Sequence, residues 1–508
     1  MKSSVDRWLL LILLLGGLLL LTHLGNGRLW QDEAETGVLA KNILRFGYPR
    51  AFDGVNRLNP NPILSLGYGE AWTYHPWLSF YTAALFFFLF GAGTAVARLP
   101  FALMGLGAIL LTYRTVRQIT QSVPLARWTS ALLTLSVPFL LHMRQCRYYA
   151  PSVLFSLWAV WAYWRLLAGK KRAVWELGAA LVLLFHFNHG VFLPVVLSLV
   201  VHARFQPDRK IFGAALLKTA AFVLPLTFPF FFFLQAGQHH HGALSWTEVR
   251  HHTEFYFRQI NHFVFPVTFW LPLLLLWRPN ATLLFGPPGS RGRSAFRFVG
   301  LFLMINLLFL IFVPTQRHFR YLVYLLPFFL LLQALFLRDL FQQRRRLGAA
   351  VLLLMTFTDL HYVAPSFFSR KPARPRVLLW EFTQELTHPY RGPVDGIVEL
   401  LQREGKPGET VKIPYDDPAI LFYTSLNIES IPRPEDFLRP TKPEWIIPRR
   451  DWVPEEFFRS GYFSEIRSSY REIVLDVPDI PWQNRPDPGY HKFRTDLSAP
   501  PVRVFRKR

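Results

Sequence analysis

Asp32 and Glu33 stand side by side in a polar loop, Gly25 to Pro76, that interrupts an otherwise apolar stretch of chain. Glu35, Asp53 and Glu70 share that loop, which therefore holds five of the only 12 acidic residues before position 365, in a chain that has 33. A carboxylate at a bilayer edge is costly unless a function or a partner keeps it there. Arginines collect in two other loops: Arg144 and Arg147 beside Tyr148 and Tyr149 in RQCRYY, and Arg317 and Arg320 beside His318 and Tyr321 in QRHFRY. His75 precedes Pro76, and His186, Asn188 and His189 sit in HFNHG. Guanidinium groups make the preferred fork for a phosphate. An acid facing an arginine-lined pocket suits a sugar-phosphate-lipid donor: the carboxylate deprotonates an acceptor hydroxyl while the arginines stabilise the departing lipid phosphate.

Plainer readings compete. Polar residues gather at every span end because headgroups and water are there, although this leaves the acids of one loop and the arginines of two others unexplained. Asp32 is also a good N-cap for AETGVLAKNIL, with Glu35 three positions on to complete a capping box. Cys146 is the only cysteine, so there is no intramolecular disulfide and no cysteine metal cluster, and it reads as a packing residue. His239, His240 and His241, followed by His251 and His252, suggest zinc. Adjacent histidines cannot all face one ion, so interfacial polar residues are the expectation there.

The elements that position these groups are membrane helices. The chain has 508 residues, 51% hydrophobic and 16% aromatic, with a net charge of +23. Runs such as LLLILLLGGLLLL approach the roughly 20 apolar residues of a span. The basic residues lie mostly at the ends of such runs, which fits lipid headgroups and topology rather than nucleic acid. The N-terminal run lacks a small-x-small cleavage site and reads as an uncleaved first helix.

Lys2 and Arg7 place the N-terminus in the cytoplasm and the acidic loop outside. The run 75–91 would put later basic clusters on the wrong sides if it crossed, so it reads as a helix on the outer face. About eleven transmembrane helices follow: 8–24, 98–113, 128–143, 152–168, 173–187, 190–203, 211–234, 263–277, 298–313, 321–337 and 347–364. The loop 235–260 reads as an amphipathic surface helix with Trp246, Val249, Phe255 and Phe257 to one side, and 277–297 as a Gly/Pro/Arg-rich cytoplasmic loop. The fold class is a polytopic α-helical membrane protein with two domains, a transmembrane domain over 1–364 and an extracytoplasmic α/β domain over 365–508. In the second, VDGIVELLQREG reads as a helix stopped by Gly405, and TVKI, EWIIP, REIVLDVP and VRVFRK read as strands of a mixed sheet.

Four stretches carry a resemblance: DEAETGVLAKNILRFGYP, YHPWLSFYTAALFFFLFGAGTAVARLP, RQCRYYAPS and QRHFRYLVYLLP. In order and spacing they resemble the bacterial dolichyl-phosphate-mannose–protein mannosyltransferase-like family of GT-C-class integral-membrane glycosyltransferases, related to the aminoarabinose transferase of lipid A, over about residues 8–335. The resemblance implies a GT-C-like fold with juxtamembrane helices in the first outer loop, in a bacterial inner membrane. It implies a polyprenyl-phosphate sugar donor and inverting transfer on the outer face. It makes Asp32 the base or acceptor-positioning carboxylate and Glu33 its partner, sets His75 where relatives carry a basic residue before proline, and brings Arg320 and Tyr321 to the lipid phosphate. Several relatives have an acid in the second outer loop, and 144–151 has none, which disfavours a divalent cation. Membrane lipids are the expected surroundings, nucleic acid is not a partner, and the acceptor is open. Rival functions are a lipid-linked-sugar transporter or flippase, a membrane scaffold acting through its outer domain, and a ligase or polymerase using a diphosphate-linked glycan. Against transport stand the missing internal repeat and the gathering of polar groups at one face.

Overall fold

The computed structural model describes residues 6–58, 66–206, 209–234, 245–276, 291–313, 316–359, 377–431, 433–496 and 498–508. His239, His240 and His241, the loop 277–290 and the end of the last expected span lie outside the described residues. The chain divides into two compact units, one of Met1–Thr22 with Phe101–Thr383, the other of His23–Pro100 with Gln384–Arg508. This division differs from a cut at 364: the acidic first loop belongs with the C-terminal residues.

The first unit is helical. Among the described residues four helices are long and apolar enough to cross a membrane: Thr94–Thr120, Gly213–Phe233, Gly292–Phe312 and Phe319–Gln343. A fifth span counts if Val123–Leu135 and Val137–Met143, bent by 67°, are taken together. Among the described residues the expectation of about eleven is corrected to four or five. The apolar segments are present, but several stop short of the roughly 20 residues a bilayer needs. Arg7–Leu21, Ala173–Phe187 and His189–Arg204 are helices of 15, 15 and 16 residues. At the bend Ser136 is extended and Pro138 follows, and proline can neither donate to the preceding turn nor pack against it without a clash. The run 75–91 is a helix of only 13 residues, Leu78–Phe90.

The amphipathic helix Trp246–Phe263 forms, yet its buried face is His252, Tyr256 and Ile260, one stripe at a spacing of four. Trp246 and Phe257, two of the four apolar residues expected to one side of this surface helix, are exposed.

The second unit is built on a five-stranded mixed sheet. β1 (Thr410–Ile413), β2 (Asn427–Ser430), β3 (Trp445–Ile446), β4 (Tyr470–Pro478) and β5 (Pro501–Lys507) lie in the order β2-β1-β3-β5-β4. β1 is parallel to β2 and β3, while β5 is antiparallel to β3 and β4. Both faces are covered, and the alternation of a strand is visible in each cluster. Val411, Ile413, Trp445, Ile447 and Val504 meet Ile397, Leu400 and Leu401 of helix Pro393–Glu404 on one face. Ile446 and Phe505 meet Phe457 and Ile466 of two short helices on the other.

Against this domain lies the acidic helix Gln31–Phe46, which ends at Gly47 with φ 84°, a left-handed cap that glycine adopts without strain. Gly37 in its middle has a packing reason. A Cβ there would stand 2.8 Å from the ring of Phe422, on the helix Asp417–Tyr423.

Candidate active site

The acidic helix starts two residues earlier than a cap at Asp32 requires. Its N-cap is Trp30, which makes no side-chain capping bond, so Asp32 and Glu33 are both in the first turn, where their charge suits the helix dipole. The capping-box expectation for Asp32 and Glu35 is corrected accordingly. Adjacent residues on a helix point about 100° apart, and here that separates the two acids: Glu33 is fully buried and Asp32 is partly exposed.

Glu33 has a structural occupation. Both its oxygens accept from Arg98, Oε1 from Nε at 2.9 Å and Oε2 from Nη2 at 2.8 Å. The remaining guanidinium hydrogens reach the carbonyls of Leu24, Asn26, Gly27 and Arg28 at 2.8 to 3.4 Å. One buried side chain therefore fixes both the acidic helix and the turn before it. Glu35 lies 3.7 Å from His75 Nδ1, each about one-fifth exposed. Asp53 holds its own turn by accepting from the N–H groups of Val55 and Asn56, and Glu70 pairs with Arg57. Asp32, the expected base, is partly exposed in the first turn of the acidic helix.

Around the start of the acidic helix the C-terminal domain contributes Tyr415, Asp416 and Asp417. Gln31 Nε2 donates to Asp417 Oδ1 at 3.1 Å, and its Oε1 accepts from the Asp416 N–H at 2.9 Å. Burial raises the Tyr415 phenol well above its usual range, and the charges of Asp416 and Asp32 add to the rise. Asp417 is pushed up to about 6, chiefly by burial, with Gln31 opposing and the charges of Asp416 and Glu35 reinforcing it. Between the ordinary 3.8 and about 6 the folded chain keeps a proton that the unfolded chain has lost. Stability from this group is full below that window, falls as pH rises through it, and is level above it. The thermal midpoint of the full chain in detergent should drop between pH 4 and pH 6.5, and Asp417→Asn should flatten that part of the profile; the magnitude is on the order of 3 kcal/mol.

In the first unit the two arginine loops come together. Burial raises the Tyr148 phenol, and Arg320 and Arg147 pull against that rise. Arg147 is buried, its guanidinium 5.5 Å from the Tyr148 ring centre, and Arg320 stands at the same distance from the Tyr321 ring. Tyr149 packs edge-on to Tyr148 and to His142, which also lies 5.6 Å from Phe319, the residue before Arg320. His142 was not singled out from sequence, where an isolated histidine in an apolar run carries no signal.

Other expected binders are occupied elsewhere. Arg144 Nη1 donates to the carbonyls of Leu19, Leu20 and Thr22, closing the end of the first helix. His186 Nε2 lies 2.9 Å from the Leu226 carbonyl, and His189 packs against Phe185. Arg317 is exposed and 3.4 Å from Glu248. Among the described residues no group of three or more His, Cys, Asp or Glu gathers in a way that could hold a metal.

The architecture places the chain among polytopic GT-C-like folds, α-helical in the membrane with a β-containing C-terminal domain. Two crystal structures of ArnT from Cupriavidus metallidurans share it over their whole length. The form bound to undecaprenyl phosphate matches with a TM-score of 0.59 at 14% identity, over 99% of this chain and 98% of that one. The apo form matches with a TM-score of 0.58 at 14% identity, over 98% of each chain. The family model described as dolichyl-phosphate-mannose-protein mannosyltransferase matches residues 74–232. No curated protein gives a significant match. At this identity the likeness is one of fold, and it does not carry the aminoarabinose specificity of ArnT to this chain.

Proposed function

We propose that the protein transfers a sugar from a polyprenyl-phosphate donor to an acceptor hydroxyl at the outer face of the membrane, with the C-terminal domain on that side. The observation that carries this reading is the end-to-end fold likeness to a structure holding undecaprenyl phosphate. Asp32 takes the acceptor proton as the acceptor oxygen bonds to the anomeric carbon. The bond from that carbon to the phosphate oxygen breaks, and the polyprenyl phosphate leaves with the electron pair. A single displacement of this kind inverts the anomeric centre. Arg320 and Arg147 stabilise the charge gathering on the departing phosphate, where fixed cations in a low-dielectric site act most strongly. Glu33 holds the helix that presents the base, and Glu35 with His75 lines its flank.

The test uses the full chain in liposomes with polyprenyl-monophosphate sugars, following release of the polyprenyl phosphate and the anomeric configuration of the product. Arg320→Ala should raise the donor KM tenfold or more, and Arg320→Lys should recover only part, because a point charge does not replace a two-pronged donor. Consumption of a diphosphate-linked glycan and no monophosphate donor would turn the reading to a ligase. Movement of the intact lipid across the bilayer without transfer would turn it to a flippase.

A further inference from the structure

Gln31 opens the acidic helix, one residue before Asp32, and its carboxamide is gripped at both ends by one turn of the C-terminal domain. A carboxamide presents one accepting and one donating end. The turn answers with the opposite pair, the backbone N–H of Asp416 and the carboxylate of Asp417. A glutamate at position 31 would set one carboxylate against another, and an apolar residue would leave both partners unmet.

The turn is shaped to do this. Asp416 has φ 70° and ψ 12°, a left-handed conformation that residues other than glycine seldom adopt, aspartate being among those that tolerate it. Arg449, 1% exposed, holds it there. Its guanidinium bonds the Asp416 carboxylate, the Asp479 carboxylate at 2.6 Å and the Ile480 carbonyl at 2.7 Å. Asp479 is fixed in turn by the Arg450 N–H at 3.0 Å. On the other side of the turn Tyr415 stacks flat on Trp452, with ring centres 3.9 Å apart and planes 7° apart. The Asp416 N–H that meets Gln31 is thus braced from both sides.

Such bracing is more than packing of the acidic helix demands, since Gly37 against Phe422 and the Glu33–Arg98 pair already anchor it. It acts on Gln31, the residue immediately before Asp32 in the first turn of the acidic helix. We propose that Gln31, Asp416 and Asp417 form a positioning latch, by which the C-terminal domain aims Asp32 at the acceptor hydroxyl. These are positioning residues, not catalytic ones, and the inference rests on Asp32 being the base. It assigns the C-terminal domain a part in turnover and none in donor capture.

The experiment measures kcat and donor KM with a polyprenyl-phosphate sugar for the full chain carrying Gln31→Glu, Gln31→Met, or Gln31→Glu with Asp417→Asn. Gln31→Glu and Gln31→Met should each lower kcat tenfold or more while donor KM stays within twofold. The double variant restores a complementary pair, because the Asn amide and the Asp416 N–H both donate to the new carboxylate, and it should recover most of the lost kcat. Thermal unfolding of each variant accompanies the kinetics, so that a loss of fold is read as such and Gln31→Met substitutes if Gln31→Glu does not fold. Wild-type kcat in both single variants overturns the latch, as does a loss that the folded double variant fails to recover. Asp32→Asn run alongside separates the two readings. If it keeps full turnover, the base assignment has failed; if it is inactive while the latch variants are normal, the latch alone has failed.

Discussion

Asp32→Asn folds as the parent does and transfers sugar about 10²–10⁴ times more slowly, the contribution expected of a general base. The substitution keeps the shape and removes the proton acceptor. Asp32 is not the N-cap of its helix, and Asn caps about as well as Asp in any case, so no capping energy is at stake. What the helix loses is one negative charge in its first turn, typically 0.3–1 kcal/mol. Turnover of reconstituted protein and the thermal midpoint, read on the same preparation, check this. Wild-type turnover in a folded Asp32→Asn protein would rule out both adjacent acids as the base, because Glu33 is enclosed by Arg98, and would turn the assignment to Glu35 beside His75.

Arg98→Ala produces the opposite pattern, a loss of fold. The change leaves Glu33 buried without the Arg98 guanidinium, and takes the donor from the carbonyls of Leu24, Asn26, Gly27 and Arg28. Removing one partner of a buried ion pair costs about 3–5 kcal/mol, against a total stability of about 5–15 kcal/mol for a domain. The yield of monodisperse protein in detergent should collapse. Replacing both partners, Arg98→Met with Glu33→Leu, should restore much of that yield, since apolar residues of similar size often substitute for a buried pair without loss. Persisting collapse in the double variant would show that the carbonyl contacts, rather than the ion pair, hold the turn.

The sequence makes local features plain and conceals distant ones. The helix over Pro393–Glu404 and four of the five strands of the C-terminal domain follow from periodicity and from turn residues next to them in the chain, while β2 over Asn427–Ser430 does not stand out. The span count does not, because apolarity marks a segment without fixing where its helix stops. Ser136 and Pro138 bend one expected span, and others end after 15 or 16 residues. Roles of charged residues are hardest to read. Glu33 and Asp32 are indistinguishable as letters, and only Arg98, 65 positions on, decides that Glu33 is an anchor. Gln31 meets Asp416 across 385 positions, a pairing no local pattern announces. Arg144 looks like a phosphate ligand by type and is spent on the end of the first helix.

The unit that holds Asp32 is discontinuous: about 280 residues, Phe101 to Thr383, are made between its two parts. At a synthesis rate of roughly 5–20 residues per second, the first part waits about 15 s to a minute for the second. During that interval the Glu33–Arg98 pair has both members in place, whereas the sheet, Phe422 and the turn at Asp416 do not yet exist. The nascent loop therefore relies on its internal ion pairs, Glu33–Arg98 the most buried of them, before Phe422 packs on the acidic helix. Variants that weaken this pair should burden biogenesis more than they burden the finished protein, and chaperone supply during expression should decide how much of such a variant is recovered.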